Sequence, residues 1–207
     1  MLSSDSLELV VPPEPAEAVS RGSKETGLEQ TQELDRFLTD IERRAYRIAV
    51  VALRDRDDAL DVVQGAMFRL VRGYRKRPSK EWRPLFYRIL YNGIRDWRRR
   101  QAVRSRVFPR RSPLPVSDHD FAVEPVDRGT DGSPGPGERA MQAEAMQRLE
   151  HAIGELPLRQ QQALALRCLE GLDVAETAAA MKCSAGSVKT HYFRALRKLR
   201  EQLGEVW

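Results

Sequence analysis

Apolar residues recur in this chain at intervals of three and four, the spacing of an α-helix with one buried face. The first stripe runs from Leu34 to Leu53, a second continues to Tyr74, and a third runs from Leu85 to Trp97. No useful stretch alternates apolar and polar residues as a β-strand would. The pattern therefore predicts an all-α fold, with helices over residues 32–53, then to about 74, and over 81–100, 141–154, 157–169, 173–181 and 184–203.

Capping residues mark where several of these helices begin. Asp55 or Asp57 is expected to cap the second helix, and Ser184 the last one. Asp173, followed three residues later by Glu176, predicts a capping box, in which each side chain bonds the other residue's backbone amide. These signals locate three helix starts independently of the apolar pattern.

The charge of the chain changes sign along its length, which separates domains from connecting segments. Residues 1–40 hold nine acidic and three basic side chains, and up to about Gln30 they have the composition of a disordered tail. Residues 112–138 hold six acidic residues and one basic residue, with the run GTDGSPGPG, which indicates a flexible linker. The expected organisation is a disordered tail over 1–30, a helical domain over 31–106, a flexible acidic linker rich in Pro and Gly over 107–138, and a second helical domain over 139–207.

Composition disfavours several classes of protein. Of the 207 residues, 41% are hydrophobic and 31% are charged, and no run approaches the roughly 18 apolar residues of a membrane helix. The N-terminus is acidic where a signal peptide would be basic, so we expect a cytoplasmic location and no membrane insertion. Two cysteines and three histidines fit neither a disulfide framework nor a zinc site, so no metal or cofactor is expected. Clustered carboxylates, a Cys/His pair and a glycine-rich phosphate loop are all missing, which disfavours an enzyme such as a nuclease.

Residues 69–111 are strongly basic, with sixteen Lys and Arg against only two acids, Glu81 and Asp96. Aromatic residues are interleaved with these cations, among them Tyr74, Trp82, Phe86, Tyr87, Tyr91 and Trp97. Cations neutralise phosphates and flat rings stack on unpaired bases, so this composition suits single-stranded nucleic acid. The alternative is a solvated helix face, but such a face would mix charges of both signs.

The C-terminal pair of helices has the spacing of a helix-turn-helix. Its expected apolar contacts come from Val174, Ala178 and Met181 on the first helix, and from Val188, Phe193 or Ala195, Leu196 and Leu199 on the second. The last helix begins with short polar side chains suited to a major groove and ends with cations suited to phosphates. An ordinary helical hairpin with a basic surface is the alternative.

Three segments in this order resemble a known family. They are DDALDVVQGAMF from Asp57, PLFYRILYNGIRDWRR from Pro84, and the segment from Gly171 through GSVKTHYFRA, which ends at Ala195. With these segments the chain resembles the extracytoplasmic-function sigma factors of bacterial RNA polymerase over about residues 32–104 and 140–203. The resemblance implies a promoter-specificity subunit whose partners are core polymerase, through its beta and beta-prime subunits, and promoter DNA, both duplex and single-stranded. It also allows an inhibitory anti-sigma partner, which the sequence does not identify.

The resemblance assigns roles to particular positions. The first segment would bind polymerase through Asp58, Asp61, Val62 and Gln64, with Leu60, Val63 and Met67 facing the core. The second would read and melt the minus-ten element through Lys76, Lys80, Tyr91, Asn92, Arg95, Arg98 and Arg99, with the loop from Lys76 to Glu81 holding a flipped base. The third would read the minus-thirty-five element through Ser187, Lys189, Thr190, His191, Phe193 and Arg194, with Arg197 and Lys198 on phosphates. Trp97 is expected either in the core or at the DNA.

Some residues depart from the family pattern, and one role stays open. Leu60 replaces a common acid, Thr177 a usual isoleucine, and Lys182 a common turn glycine. Arg194 either pairs with a guanine or clamps a phosphate, and its place in the first half of its helix favours the guanine. The rival function is a helix-turn-helix regulator that binds DNA without polymerase, which leaves the acidic segment from Asp58 to Gln64 unexplained.

Overall fold

The computed structural model describes residues 16–107 and 135–204. These residues form seven α-helices and contain no strand, which confirms the all-α prediction. The helices are α1 (Ala16–Leu53), α2 (Arg56–Tyr74), α3 (Ser79–Val107), α4 (Pro136–Gly154), α5 (Leu158–Leu164), α6 (Val174–Met181) and α7 (Ala185–Leu203). A π-helical turn, Ala165–Leu169, continues α5.

The N-terminal unit, α1 to α3, is a three-helix bundle. In the packed part of each helix nearly every turn contributes a buried side chain, among them Ile41, Ala45, Val63, Leu70, Phe86 and Leu90. Phe37 packs edge-on against Phe86 with ring centroids 6.3 Å apart, and lies 5.9 Å from Trp82. Trp82 Nε1 donates a hydrogen bond to the carbonyl of Tyr74, which ties the start of α3 to the end of α2.

The first helix is longer than the apolar stripe predicts. It begins at Ala16, so the second half of the predicted disordered tail is helical. After Pro15 the sequence contains Ala, Glu, Gln and Lys and no proline, which lets the helix extend beyond its packed part. Gln30 in this extension donates a hydrogen bond to the carbonyl of Arg77. The predicted linker over 107–138 and the first half of the tail lie almost entirely outside the described residues.

The predicted caps are confirmed. Asp55 caps α2 by accepting a hydrogen bond from the Asp58 amide at 2.9 Å. Asp173 and Glu176 form the reciprocal capping box of α6, with bonds of 2.7 and 2.9 Å. Ser184 caps α7 through the Ser187 amide.

The turn between α6 and α7 depends on Lys182, whose backbone is left-handed, with φ 50° and ψ 54°. Lys182 therefore adopts the conformation that favours the glycine common at this position. Thr177 is fully buried, and its hydroxyl donates to the Asp173 carbonyl at 2.6 Å, so the hydroxyl has a partner inside the core. Both departures from the family pattern are thus compatible with the helix-turn-helix.

The C-terminal unit, α4 to α7, packs directly on the N-terminal unit. One continuous core cluster contains Leu166, Leu172 and Met181 together with residues of α1 to α3. Ala195 and Leu199 of α7 belong to a smaller cluster against α4 and α5. Of the two alternatives at the centre of α7, Ala195 is buried and Phe193 is exposed; Leu196, expected inside, is 38% exposed.

Candidate functional site

The exposed side of α2 carries acids and large apolar residues together. Asp61 and Gln64 are exposed, as the sequence predicts, and they share a surface with Leu60, Phe68 and Val71. Phe68 is 66% exposed and Leu60 42%, which is unusual for such large apolar side chains on one helix face. We call Leu60, Asp61, Gln64, Phe68 and Val71 the α2 surface.

The sequence reasoning placed Leu60 in the core, and that was wrong. Val63 is buried and Met67 half-buried, but Leu60 lies about 60° further round the helix from Val63, beyond the buried face. The missed signal is that α2 carries more apolar residues than one buried stripe can accommodate. The excess must face outward, and Phe68 was overlooked for the same reason.

The two other predicted polymerase-binding residues differ from Asp61 in position. Asp58 is half-buried, and its amide belongs to the cap of α2. Val62 is half-buried on the side toward α3, where a Cβ at Gly93 would lie 3.1 Å from Val62 Cγ1. Val62 therefore contributes to the α2–α3 packing, and Gly93 permits the close approach.

Helix α3 carries a polar stripe in which Arg95 and Arg99 are exposed and Arg88 and Asn92 are half-buried. Asn92, Arg95 and Arg99 follow one another at three and four residues, and Arg88 extends the stripe by one turn. The Asn92 side-chain oxygen accepts a hydrogen bond from Arg95 Nη2 at 2.9 Å. Arg88 was missed by the sequence reasoning, although its spacing of four from Asn92 would have identified it. We call Arg88, Asn92, Arg95 and Arg99 the α3 stripe.

Two predicted minus-ten residues are not on this stripe. Tyr91 is only 4% exposed, so it cannot contact DNA in this arrangement. Burial and the nearby Glu170 carboxylate raise the pKa of the Tyr91 hydroxyl, so it stays protonated. Arg98 is half-buried and donates to the carbonyl of Ala52 through Nε and Nη2. Trp97 is half-buried against the core.

The connection between α2 and α3 is short and basic. Helix α3 begins at Ser79, so the proposed base-holding segment from Lys76 to Glu81 is part turn and part helix. Lys76 and Lys80 are both exposed, close in sequence to the start of the helix that carries the α3 stripe. Arg77 is 3.6 Å from Glu81, an ion pair across the first turn of α3.

Helix α7 exposes most of the residues predicted to enter a major groove. Lys189, Thr190, Phe193 and Arg194 are all exposed, and Phe193 is 64% exposed. The Thr190 hydroxyl donates to the Gly186 carbonyl at 3.0 Å, and the Ser187 hydroxyl lies 2.9 Å from that of Ser184. Both hydroxyls therefore have hydrogen-bond partners near the start of the helix.

His191 lies among cations. Burial first, and then the charges of Arg159 and Arg194, lower the pKa of His191 below its ordinary value of 6.5. The imidazole is therefore neutral at pH 7, with one nitrogen donating and the other accepting.

The predicted phosphate contacts have partners within the chain. Arg197 lies 3.5 Å from Glu201 one turn later, and Lys198 Nζ donates to the carbonyl of Glu155 at 2.9 Å. Both bonds are on or near the surface, so phosphates compete with them in an aqueous setting.

Among residues 16–107 and 135–204, no group of three His, Cys, Asp or Glu side chains is placed to hold a metal ion. Within the same ranges no helix is both apolar enough and long enough to cross a lipid bilayer.

Comparison with known proteins finds similarity to sigma factors. Residues 146–199 match the family model for sigma-70, region 4. The chain is 30% identical over 86 residues to the ECF RNA polymerase sigma factor SigD of Mycobacterium bovis, a match that spans 42% of this chain and 41% of that relative. It is 28% identical over 170 residues to the RNA polymerase sigma factor SigV of Bacillus subtilis, covering 80% of this chain and 88% of that one.

A solved structure has the same fold. It is the sigma factor RpoE of Bartonella quintana in its complex with the anti-sigma factor NepR, with a TM-score of 0.59 at 21% identity, covering 84% of this chain and 98% of that one. Along the chain, the acidic segment on α2 comes first, the basic α3 follows, and the helix-turn-helix of α6 and α7 comes last. Over these stretches the chain is similar to RNA polymerase sigma factors, one of them of the extracytoplasmic-function (ECF) group.

Proposed function

We propose that this protein binds core RNA polymerase and directs it to promoters that carry a minus-ten and a minus-thirty-five element. The α2 surface binds polymerase, the α3 stripe contacts the opened minus-ten strand, and α7 reads the minus-thirty-five duplex. The chain itself catalyses no bond change. It works where polymerase and DNA are, in the cytoplasm.

The α2 surface is the observation that carries this proposal. The helix-turn-helix accounts for DNA binding by a regulator that acts without polymerase, but it does not account for an exposed apolar surface on another unit. Leu60 and Phe68 offer an apolar centre for a contact with a protein partner, and Asp61 beside them offers a charge that selects a basic one. An apolar centre beside a charged residue is typical of protein–protein interfaces.

The division of labour follows from charge. The α3 stripe bears three arginines and one amide, which neutralise phosphates and bond a base edge. Helix α7 bears Lys189, Arg194 and Arg200 on its exposed surface, with no acid between Ser184 and Arg200. These two surfaces suit nucleic acid, whereas the α2 surface does not.

Titration of fluorescently labelled full-length chain with bacterial core polymerase tests the proposal. We expect Asp61→Arg to weaken binding more than tenfold, beyond the roughly 1 kcal/mol of an exposed ion pair, because it places a cation against a basic partner. Asp35→Arg, the same change at an exposed position on α1, is the matched control and should leave the affinity unchanged. Equal affinities for Asp61→Arg and the unmodified chain would remove the α2 surface from the polymerase interface.

A further inference from the structure

Arg159, in the first turn of α5, is anchored on the turn of the helix-turn-helix. Its Nη1 donates a hydrogen bond at 2.6 Å to the carbonyl of Met181, the last residue of α6. The same nitrogen lies 3.4 Å from Oε1 of Gln162, a buried residue. A terminal guanidinium nitrogen carries two N–H groups, and these two acceptors engage both. The protein therefore fixes one end of the Arg159 guanidinium.

The opposite edge of this guanidinium is available to a ligand. Arg159 is exposed, and its Nε and Nη2 take part in none of the hydrogen bonds or ion pairs among residues 16–107 and 135–204. The edge formed by Nε and Nη2 matches two oxygens of a phosphate or carboxylate side by side. Because Nη1 already holds the side chain, Arg159 loses little further freedom when an anion binds.

The charges around Arg159 favour an anion. Burial, and then the charges of Arg159 and Arg194, lower the pKa of His191, so both arginines lie near this side chain of α7. Lys182 directly follows Met181 and is exposed at the same turn. Helix α5 contains no acid, and the acids of α6 form the capping box at its other end. Like charges gathered in this way repel one another unless an anion lies between them.

The place of Arg159 in the fold indicates which anion this is, and this step rests on the proposed function, in which α7 reads duplex DNA. In a helix-turn-helix the first helix crosses the sugar–phosphate backbone, while the beginning of the second enters the major groove. Arg159 belongs to neither helix and reaches their junction from α5. A cation held at this junction lies beside the groove, next to the backbone rather than among the base edges.

The phosphate contacts expected from the sequence are arranged differently. Arg197 lies 3.5 Å from Glu201, and Lys198 Nζ donates to the carbonyl of Glu155. Each of these two cations must share or exchange a partner in order to bind a phosphate, whereas Arg159 keeps its anchor. The sequence could not identify Arg159, because it stands 22 residues before the carbonyl that it contacts and only the fold brings the two together.

We propose that Arg159 binds a backbone phosphate of the minus-thirty-five duplex through Nε and Nη2, while Nη1 stays on the Met181 carbonyl. Such a contact holds the protein on the duplex without reading a base. The duplex site thus includes a side chain of α5, outside the two helices of the helix-turn-helix.

Fluorescence anisotropy of the full-length chain, on a labelled duplex that carries a motif obtained by binding-site selection, tests this contact. We expect Arg159→Gln to bind about five- to tenfold more weakly at about 0.1 M salt and to lower the salt slope by about one, because one phosphate contact is lost. The ratio of affinities for the selected duplex and a scrambled duplex should not change. Arg36→Gln, the same change at an exposed position on α1, is the matched control and should alter none of these values.

Replacing single phosphates of the selected duplex, one at a time, by uncharged methylphosphonates locates the contact. At one position the replacement should weaken binding of the unmodified chain by about the same five- to tenfold and leave binding of Arg159→Gln unaffected. A side chain that merely supports the turn between α6 and α7 would show no such coupling to one phosphate.

Equal affinity and equal salt slope for Arg159→Gln and the unmodified chain would overturn the proposal, and so would a changed sequence preference. If Arg159→Gln loses helical circular dichroism, Arg159→Lys replaces it. The retained charge should preserve the salt slope while the loss of the side-on pair lowers the affinity, and an unchanged affinity counts against the contact. Failure of the unmodified chain to bind any duplex would overturn the reading role of α7 as well, so the two failures are distinguishable.

Discussion

The guanidinium of Arg98 donates two hydrogen bonds to the main-chain carbonyl of Ala52, at 3.2 Å from Nε and 2.6 Å from Nη2. This carbonyl lies in the last turn of α1, where carbonyls lack partners within the helix. Arg98 thus joins the middle of α3 to the end of α1. Burial, and then the charge of Arg54, lower the pKa of Arg98, which nevertheless stays charged.

Arg98 and Arg99 are neighbours with different expected roles. Arg98→Ala should lower the free energy of unfolding by about 1–3 kcal/mol, because it leaves a helix-end carbonyl without its charged donor. Arg99→Ala should leave stability within about 0.5 kcal/mol and weaken binding to single-stranded DNA, because Arg99 is exposed. Urea unfolding and fluorescence anisotropy of each variant measure the two effects, and a reversed pattern would contradict the assignment.

Arg194 is predicted to read a base. Arg194→Ala should cost about 1–3 kcal/mol and relax the preference at one minus-thirty-five position, because a bidentate pair with guanine is lost. Arg200→Ala, near the end of the same helix, should weaken all sequences alike and lower the salt slope by about one. Binding-site selection, followed by affinity measurements on the selected DNA sequences, compares the two variants. An unchanged sequence preference in Arg194→Ala would assign Arg194 to a phosphate.

His191 is expected to make duplex binding depend on pH. The pKa of His191 is lowered in the free protein, so folding favours the neutral ring. The free energy of unfolding therefore falls as the pH is lowered from the ordinary pKa of 6.5 toward the lowered one. Nearby phosphates raise the pKa again, so binding takes up a proton and affinity rises as pH falls through this range. Anisotropy titrations between pH 7.5 and 5.5 should show a steeper rise for the unmodified chain than for His191→Gln, and equal slopes would exclude this role.

Lys182 occupies a left-handed position at the centre of the helix-turn-helix. Lys182→Gly should raise the free energy of unfolding by about 0.5–1 kcal/mol, because glycine adopts this conformation without a steric penalty. Lys182→Ala keeps the Cβ and should change stability by less than about 0.5 kcal/mol. Urea denaturation of both variants provides the comparison. A Gly variant that is less stable than the Ala variant would refute this prediction.

Local signals in the sequence were sufficient for much of this fold. Caps at Asp55, Asp173 and Ser184 depend on residues within one turn of each other, and they form as predicted. The left-handed turn at Lys182 was missed because lysine rarely adopts it, although the family pattern raised the question by placing glycine there. Such local features depend little on the rest of the chain.

The rest of the site depends on packing between distant segments. Leu60 has the same apolar side chain whether it faces the core or solvent, and only the arrangement of α1 to α3 decides which. Tyr91 was assigned to DNA because of its neighbours in sequence, yet it is buried beside Glu170, 79 residues further along the chain. No periodicity predicts a contact between units joined by a long acidic segment.

The central claim, that this chain directs core polymerase to two-element promoters, is tested most directly by transcription from a random promoter library. Purified core polymerase with the full-length chain should produce transcripts whose start sites follow one shared pair of motifs, about 25 base pairs apart, with permanganate-reactive thymines at the downstream motif. Asn92→Ala should reduce that reactivity without reducing core binding. Transcripts with no shared motif, or the same transcripts from core polymerase alone, would contradict the account.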